Sequence, residues 1–210
     1  MNDLSLENFN QITIKDRNKI DEYLKKYSLP ISEYTFTNLF IWRDYYQFRW
    51  IEIEDNFFLV SFRNDNLITL YPPLGKNWVK LLGNIKNLAT HHQKDLQMER
   101  VPTEILETLK KNNITFEHHE DRDNWDYVYL RNDLANLKGG KYQNIRKKLN
   151  KFKSRYKWKY KPINLEIVDV LIRMQELWCR YKACSEDVTL DQENDGIIEI
   201  LNNWGKLNVI

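Results

Sequence analysis

The 210-residue chain has only two cysteines, Cys179 and Cys184, with six glycines and five prolines. Two cysteines build no disulfide framework, and without a CxxC pair nothing seeds a zinc site, so a reducing compartment is expected and Cys184 reads as a packed, inert thiol. Few glycines and prolines beside 13% aromatic residues exclude collagen-like, linker-like and low-complexity classes. Long apolar runs are also missing: Tyr34 to Trp42, the best uncharged stretch, falls far short of the roughly 20 residues a membrane-spanning helix needs. Asp3 and Glu7 stand where a secretory signal carries basic residues, so a cytoplasmic location is expected. What is present, 42% hydrophobic residues in 25.6 kDa, suffices for one ordinary domain or two small ones.

Net charge is only +2, but its distribution is uneven. From Lys138 to Lys161 there are eleven Lys or Arg and no Asp or Glu, leaving 21 basic against 30 acidic residues elsewhere. Any anionic partner therefore belongs to that one segment.

Hydrophobic spacing predicts a strand at Gln11–Ile14, a helix through Ile20, Tyr23, Leu24 and Tyr27, and a second helix capped by Ser32 with Glu33 in its first turn. Three β-rich runs follow, at 48–53, 57–62 and 67–71, separated by Asp55-Asn56 and Asn64-Asp65-Asn66 at hairpin spacing. Trp78, Leu81, Leu82, Ile85 and Leu88 mark a helix, 96–101 a strand, and Pro102 opens another helix. Runs at 114–118 and 125–130 read as two more strands. The basic segment reads as a helix burying Tyr142, Ile145, Leu149 and Phe152, followed by a strand at 158–163, helices through 167–181 and 197–204, and a strand at 207–210.

The order β-α-α-β-β-β-α-β-α-β-β resembles the topology of the GCN5-related N-acetyltransferase (GNAT) superfamily. The resemblance implies an α/β (α+β) fold, a mixed sheet flanked by helices. The second half restarts the same order and stops at its second strand. The expectation is a tandem repeat: a first lobe over 1–131, then a basic linking helix and the start of an incomplete second lobe over 132–210, in a chain that continues further.

Four phrases are more specific: Ser32-Glu33-Tyr34-Thr35-Phe36-Thr37-Asn38-Leu39-Phe40-Ile41-Trp42; Tyr71-Pro72-Pro73-Leu74-Gly75; Asp121-Arg122-Asp123-Asn124-Trp125-Asp126-Tyr127-Val128-Tyr129; and Asp133-Leu134-Ala135 with Leu137-Lys138-Gly139 and Lys141-Tyr142. In this order they resemble the bacterial family that shares the C-terminal domain of phosphatidylglycerol lysyltransferase, related to Fem-type aminoacyltransferases. The resemblance implies transfer of an aminoacyl group from aminoacyl-tRNA to a lipid or amine acceptor, provided the second lobe is complete. Where the family reads His-x-Lys-Arg-Asn, this chain has Gln143-Asn144-Ile145-Arg146-Lys147-Lys148, so only Arg146 and its basic neighbours carry across.

The residues support some chemistry and argue against other chemistry. A GNAT lobe offers backbone N–H groups to a cofactor pyrophosphate between its fourth strand and third helix, but here Pro72 and Pro73 remove two donors. Coenzyme A binding by the first lobe is not expected, and acyl-CoA remains a donor only through a loop further on. No cofactor is expected in the chain itself. Lys141, Arg146, Lys147, Lys148, Lys151 and Arg155 are the candidate anion-binding residues, for tRNA or other RNA or for anionic lipid; the alternative is a solvated bridging helix. His91-His92 and His118-His119 are not expected to hold a metal, because neighbouring strand side chains point to opposite faces. Asp121, Asp123 and Asp126 read as a solvated turn or, alternatively, a source of a general base. No catalytic residue is assigned. The competing readings are an aminoacyl- or acyltransferase, a non-catalytic RNA- or anion-binding module, and an acyl-CoA-dependent N-acyltransferase.

Overall fold

In a computed structural model that describes residues 4–207, the first half runs β1 (Asn10–Gln11), α1 (Arg17–Lys26), α2 (Phe36–Trp42), β2 (Phe48–Ile53), β3 (Asn56–Asn64), β4 (Leu67–Leu70), α3 (Trp78–His91), β5 (Asp95–Met98) and α4 (Thr103–Lys111). Five helices follow: α5 (Arg131–Asn136), α6 (Gln143–Arg155), α7 (Val168–Lys182), α8 (Val188–Asn202) and α9 (Trp204–Leu207). The chain divides into two units, residues up to 120 together with those from 165 onward, and residues 121–164.

The sheet of the larger unit has the order β1-β2-β3-β4-β5. β1 to β4 are antiparallel, and β5 joins β4 in parallel after the α3 crossover, pairing Leu67 with Asp95 through Leu70 with Met98. β3 lies at its centre and is buried on both faces. Phe58 and Val60 meet Trp78, Leu81, Ile85 and Leu88 of α3 and Ile105 and Leu109 of α4 on one side. Phe57 and Leu59 meet Ile20 of α1 and Phe36, Leu39 and Phe40 of α2 on the other. The period-2 alternation of a strand thus feeds two cores, and the result is a helix–sheet–helix sandwich.

Two local details differ from the sequence reading. The β2–β3 turn is Glu54-Asp55, both at positive φ, one residue earlier than expected, with Ile53 paired to Asn56. Asn56 is only 1% exposed because its side chain is needed inside: Nδ2 donates to the carbonyls of Ile53 (3.2 Å) and Glu54 (2.6 Å), and Oδ1 accepts from the Asn77 N–H (2.9 Å). The cap of α2 is Thr35 rather than Ser32, its Oγ1 accepting from the Asn38 N–H at 3.2 Å. Tyr34 is buried with its hydroxyl donating to the Pro72 carbonyl (2.6 Å), which keeps residues 32–34 outside the helix.

The element order agrees with the sequence reading through α4 and then departs from it. Segments 114–118, 125–130 and 158–163, read as strands, form none. Tyr127 and Val128 are 88% and 90% exposed, so neither face of 125–130 is covered, and no strand among the described residues pairs with it. Aromatic and β-branched residues favour a strand only where a neighbour supplies the ladder and a surface to pack on. Leu207 ends α9 and packs among the α1–α2 core, whereas residues 208–210 of the expected last strand lie outside the described residues.

Cys179 and Cys184 are joined by a disulfide that ties the end of α7 to the turn before α8, which corrects the free-thiol reading. Four intervening residues, with Ala183 left-handed at φ 51°, fold the chain back far enough for the two side chains to meet.

Candidate functional site

The smaller unit is built around its cationic helix. α5 ends on Leu137 in the left-handed region, Gly139 at φ 86° turns the chain, and a short 3-10 turn over Gly140–Tyr142 leads into α6. Gly139 is needed there, because a side chain at that φ would be strained. Arg146 holds the corner: its Nη1 donates to the carbonyl of Leu137 and, at 2.7 Å, to that of Gly139. Asp133 of α5 accepts from the Lys141 ammonium (2.9 Å) and from the Tyr142 hydroxyl (3.2 Å). The hydrogen bond from Lys141 holds the Asp133 carboxyl below its ordinary range, and the same contact raises Lys141.

The six candidate cations therefore separate into two groups. Lys141 and Arg146 are engaged in building the corner. Lys147, Lys148, Lys151 and Arg155 are exposed on α6 and make no ion pair among the described residues. At about 3.6 residues per turn these four occupy roughly a 100° arc of the helix. Beside it runs an apolar stripe, Ile145, Leu149 and Phe152, which the sequence reading buried. In the structure these side chains are 39–47% exposed, and of that predicted face only Tyr142 is buried. Asp121, Asp123 and Asp126 are exposed, the first two in a 3-10 turn where Asp121 accepts from Asn124.

In the larger unit, the loop after β4 has two missing donors and two that are committed. Pro72 and Pro73 have none, the Leu74 N–H donates to the Phe57 carbonyl (3.0 Å), and the Asn77 N–H to Asn56. Gly75 approaches Asn56 so closely, at φ 153°, that no side chain fits. This loop packs against a strand and does not offer the row of amides a pyrophosphate requires.

Sequence reasoning missed a second feature of this unit. A cavity of about 250 Å³ opens between the start of α2 and the sheet, walled by Trp42, Tyr46, Phe48 and Tyr71 and edged by Glu33 and Arg100. The rings interlock, with Phe48 stacked on Tyr46 and edge-on to Tyr71, both at 5.2 Å between centroids. Glu33 Oε1 lies 3.2 Å from Arg100 Nε. Burial first, and then the Glu99 carboxylate, raise Tyr71 above the ordinary phenol range, so its hydroxyl keeps its proton. The signal available in the sequence was that Glu33 and Trp42 lie in one of the family-like phrases and Tyr71 in another; their proximity required the fold.

Fold and surface together define an α/β protein with a five-stranded mixed sheet and a separate cationic helical unit, in which no described helix is long and apolar enough to cross a membrane. Comparison with known proteins identifies its kind. The chain belongs to the family described as phosphatidylglycerol lysyltransferase, C-terminal, which matches residues 25–209, and it is thus a lysyltransferase-type domain. It is also similar to a solved structure from Bacteroides thetaiotaomicron VPI-5482, a conserved protein of unknown function, at 27% identity and a TM-score of 0.84. That similarity covers 95% of this chain and 68% of the other. No curated protein matches.

Proposed function

We propose that this chain serves aminoacyl transfer from aminoacyl-tRNA to a lipid hydroxyl or an amine, on GNAT-like lobes spanning 1–131 and 132–210. The observation that carries the reading is the family match over residues 25–209. In such a transfer the acceptor oxygen or nitrogen attacks the ester carbonyl, the ribose hydroxyl of the tRNA leaves, and the acceptor proton goes to that leaving oxygen. No cofactor is consumed. The role left for Lys147, Lys148, Lys151 and Arg155 is to hold a polyanion. Pro72 and Pro73, which lack donors, and the committed Leu74 and Asn77 amides of the loop after β4 favour aminoacyl-tRNA over acyl-CoA as donor in the first lobe.

A specific observation favours an anionic lipid surface as the partner of α6. Exposed Ile145, Leu149 and Phe152 beside the four cations form the arrangement of a helix lying in a headgroup layer, apolar side inward and Lys and Arg outward. An RNA backbone uses the charge alone.

Transfer is tested with tRNA charged with labelled lysine, offered with phosphatidylglycerol vesicles or a soluble amine; label entering neither acceptor overturns the transferase reading. The partner is tested by binding. Lys147→Gln, Lys148→Gln and Lys151→Gln together are expected to weaken binding to anionic vesicles roughly 100-fold, at about 1 kcal/mol for each lysine. Ile145→Ser with Phe152→Ser is expected to weaken vesicle binding while leaving tRNA binding unchanged. Equal loss for both, or vesicle binding unmoved, removes the lipid reading.

A further inference from the structure

The chain leaves α6 through Tyr156-Lys157-Trp158-Lys159-Tyr160-Lys161, in which aromatic and cationic residues alternate without interruption. We infer that this segment is a second membrane-contacting element, whose rings enter the headgroup layer of an anionic bilayer while its lysines meet the lipid phosphates. The inference rests on the lipid reading of α6 and extends that surface to residues the reading leaves out.

Backbone geometry is the first reason. Tyr156 is extended, at φ −122° and ψ 137°, and no helix or turn lies between it and Leu165. Pro162 disfavours helical geometry at Lys161 as well. In an extended chain neighbouring side chains point to opposite faces, and every second one repeats at about 6.7 Å. The three rings therefore line one face over about 13 Å, and the three ammonium groups line the other.

Continuity is the second. The Tyr156 N–H donates to the Phe152 carbonyl (3.0 Å) and the two rings lie 5.2 Å apart, so the exposed stripe of Ile145, Leu149 and Phe152 runs on into the first ring of the segment. Tyr156, Trp158 and Tyr160 are 59%, 56% and 81% exposed. Lys157, Lys159 and Lys161 are exposed too, and form no ion pair among the described residues.

Side-chain chemistry selects the partner. Tyr and Trp join an apolar ring to a polar tip, which suits the boundary where acyl chains meet headgroups. The lysines add their positive charge to that of α6, complementing a surface of anionic lipid. A single-stranded RNA fits less well: with bases stacked on the rings, its phosphates would lie on the ring face, away from the lysines. The other exposed aromatic run, 125–130, carries Asp126 and no lysine, and is not assigned to this surface.

The experiment titrates the intact chain with vesicles of phosphatidylcholine and phosphatidylglycerol in equal parts, some carrying brominated acyl chains that quench tryptophan. Trp158→Phe supplies the signal of the remaining tryptophans. Bromines placed high in the acyl chains are expected to quench more of the unaltered protein's emission than of this variant's. Trp158→Ser with Tyr160→Ser is expected to lower vesicle affinity roughly tenfold. Lys157→Gln, Lys159→Gln and Lys161→Gln together are expected to lower it roughly 100-fold. Vesicle binding that Ile145→Ser with Phe152→Ser weakens, but that Trp158→Ser with Tyr160→Ser leaves unmoved, would overturn this inference alone. So would the absence of any bromine-dependent difference. No vesicle binding by the unaltered chain would overturn the lipid reading of α6 and this inference with it. If Trp158→Ser with Tyr160→Ser weakened binding to a single-stranded oligoribonucleotide as much as to vesicles, the segment would be an RNA platform. If it abolished self-association in sedimentation, the segment would be a contact between copies; either result overturns the inference. The substituted side chains are exposed, and circular dichroism checks the fold.

Discussion

Gly75→Ala is the perturbation that most directly tests the packing of this fold. Gly75 sits at φ 153°, and a Cβ built there would lie 2.1 Å from Oδ1, 2.6 Å from Cγ and 2.8 Å from Cβ of Asn56. Asn56 cannot simply step aside, since three hydrogen bonds hold it: to the carbonyls of Ile53 and Glu54, and from the Asn77 N–H. Evicting it costs about 3 kcal/mol at roughly 1 kcal/mol per bond. Backbone strain for a non-glycine residue there adds about 1–3 kcal/mol. The total, about 4–6 kcal/mol, is a large part of the roughly 5–15 kcal/mol that a domain has. Urea unfolding followed by tryptophan fluorescence should show the midpoint falling with the slope unchanged. A double-mutant cycle separates the terms: in an Asn56→Gly background, which also removes the Asn56 Cβ, Gly75→Ala should cost only the strain, a coupling of about 3 kcal/mol. A loss below about 1 kcal/mol for Gly75→Ala alone, or strict additivity, would refute the reasoning.

Two further predictions concern the smaller unit and α7. Lys141→Met is expected to raise the Asp133 pKa toward the ordinary carboxylate value in an NMR titration, because the Lys141 hydrogen bond is what lowers it. Since the folded value is depressed, the contact stabilises above the ordinary carboxylate pKa and is lost as pH falls through the folded pKa; an unmoved Asp133 titration would show that the contact does not form. Cys184→Ser, which opens the short Cys179–Cys184 loop, is expected to cost about 2 kcal/mol by the chain-entropy estimate. Equal thermal midpoints for the oxidised protein and the variant would count against the disulfide.

Much of the larger unit was legible in its sequence because its elements are amphipathic and locally punctuated. Trp78, Leu81, Ile85 and Leu88 could only be one helical face, and they do meet the sheet. The hairpins were readable from Asp, Asn and alternating aromatics, though the first turn moved by one residue because Asn56 was needed in the core. Candidate site residues were less legible. All six cations look alike in sequence, yet Lys141 and Arg146 serve the α5–α6 corner, a distinction made by Asp133, Leu137 and Gly139 once the turn folds. Glu33 has the position of a helix-dipole acid in sequence and the role of an ion-pair partner in space, because Arg100 comes from the far end of β5.

By itself, the sequence determined the family, the mixed α/β character, the order of elements through α4, and the concentration of positive charge in one helix. Those depend on composition and on near-neighbour spacing, which the chain carries wherever it goes. Only the tertiary structure decided that segments 114–118, 125–130 and 158–163 are not strands, that Ile145, Leu149 and Phe152 are exposed, that Cys179 meets Cys184, and that four aromatic rings wall a cavity edged by Glu33 and Arg100. Each of these turns on what a residue finds across space. A strand needs a neighbouring ladder, an apolar face needs a surface to cover it, and a cavity needs walls from separate parts of the chain.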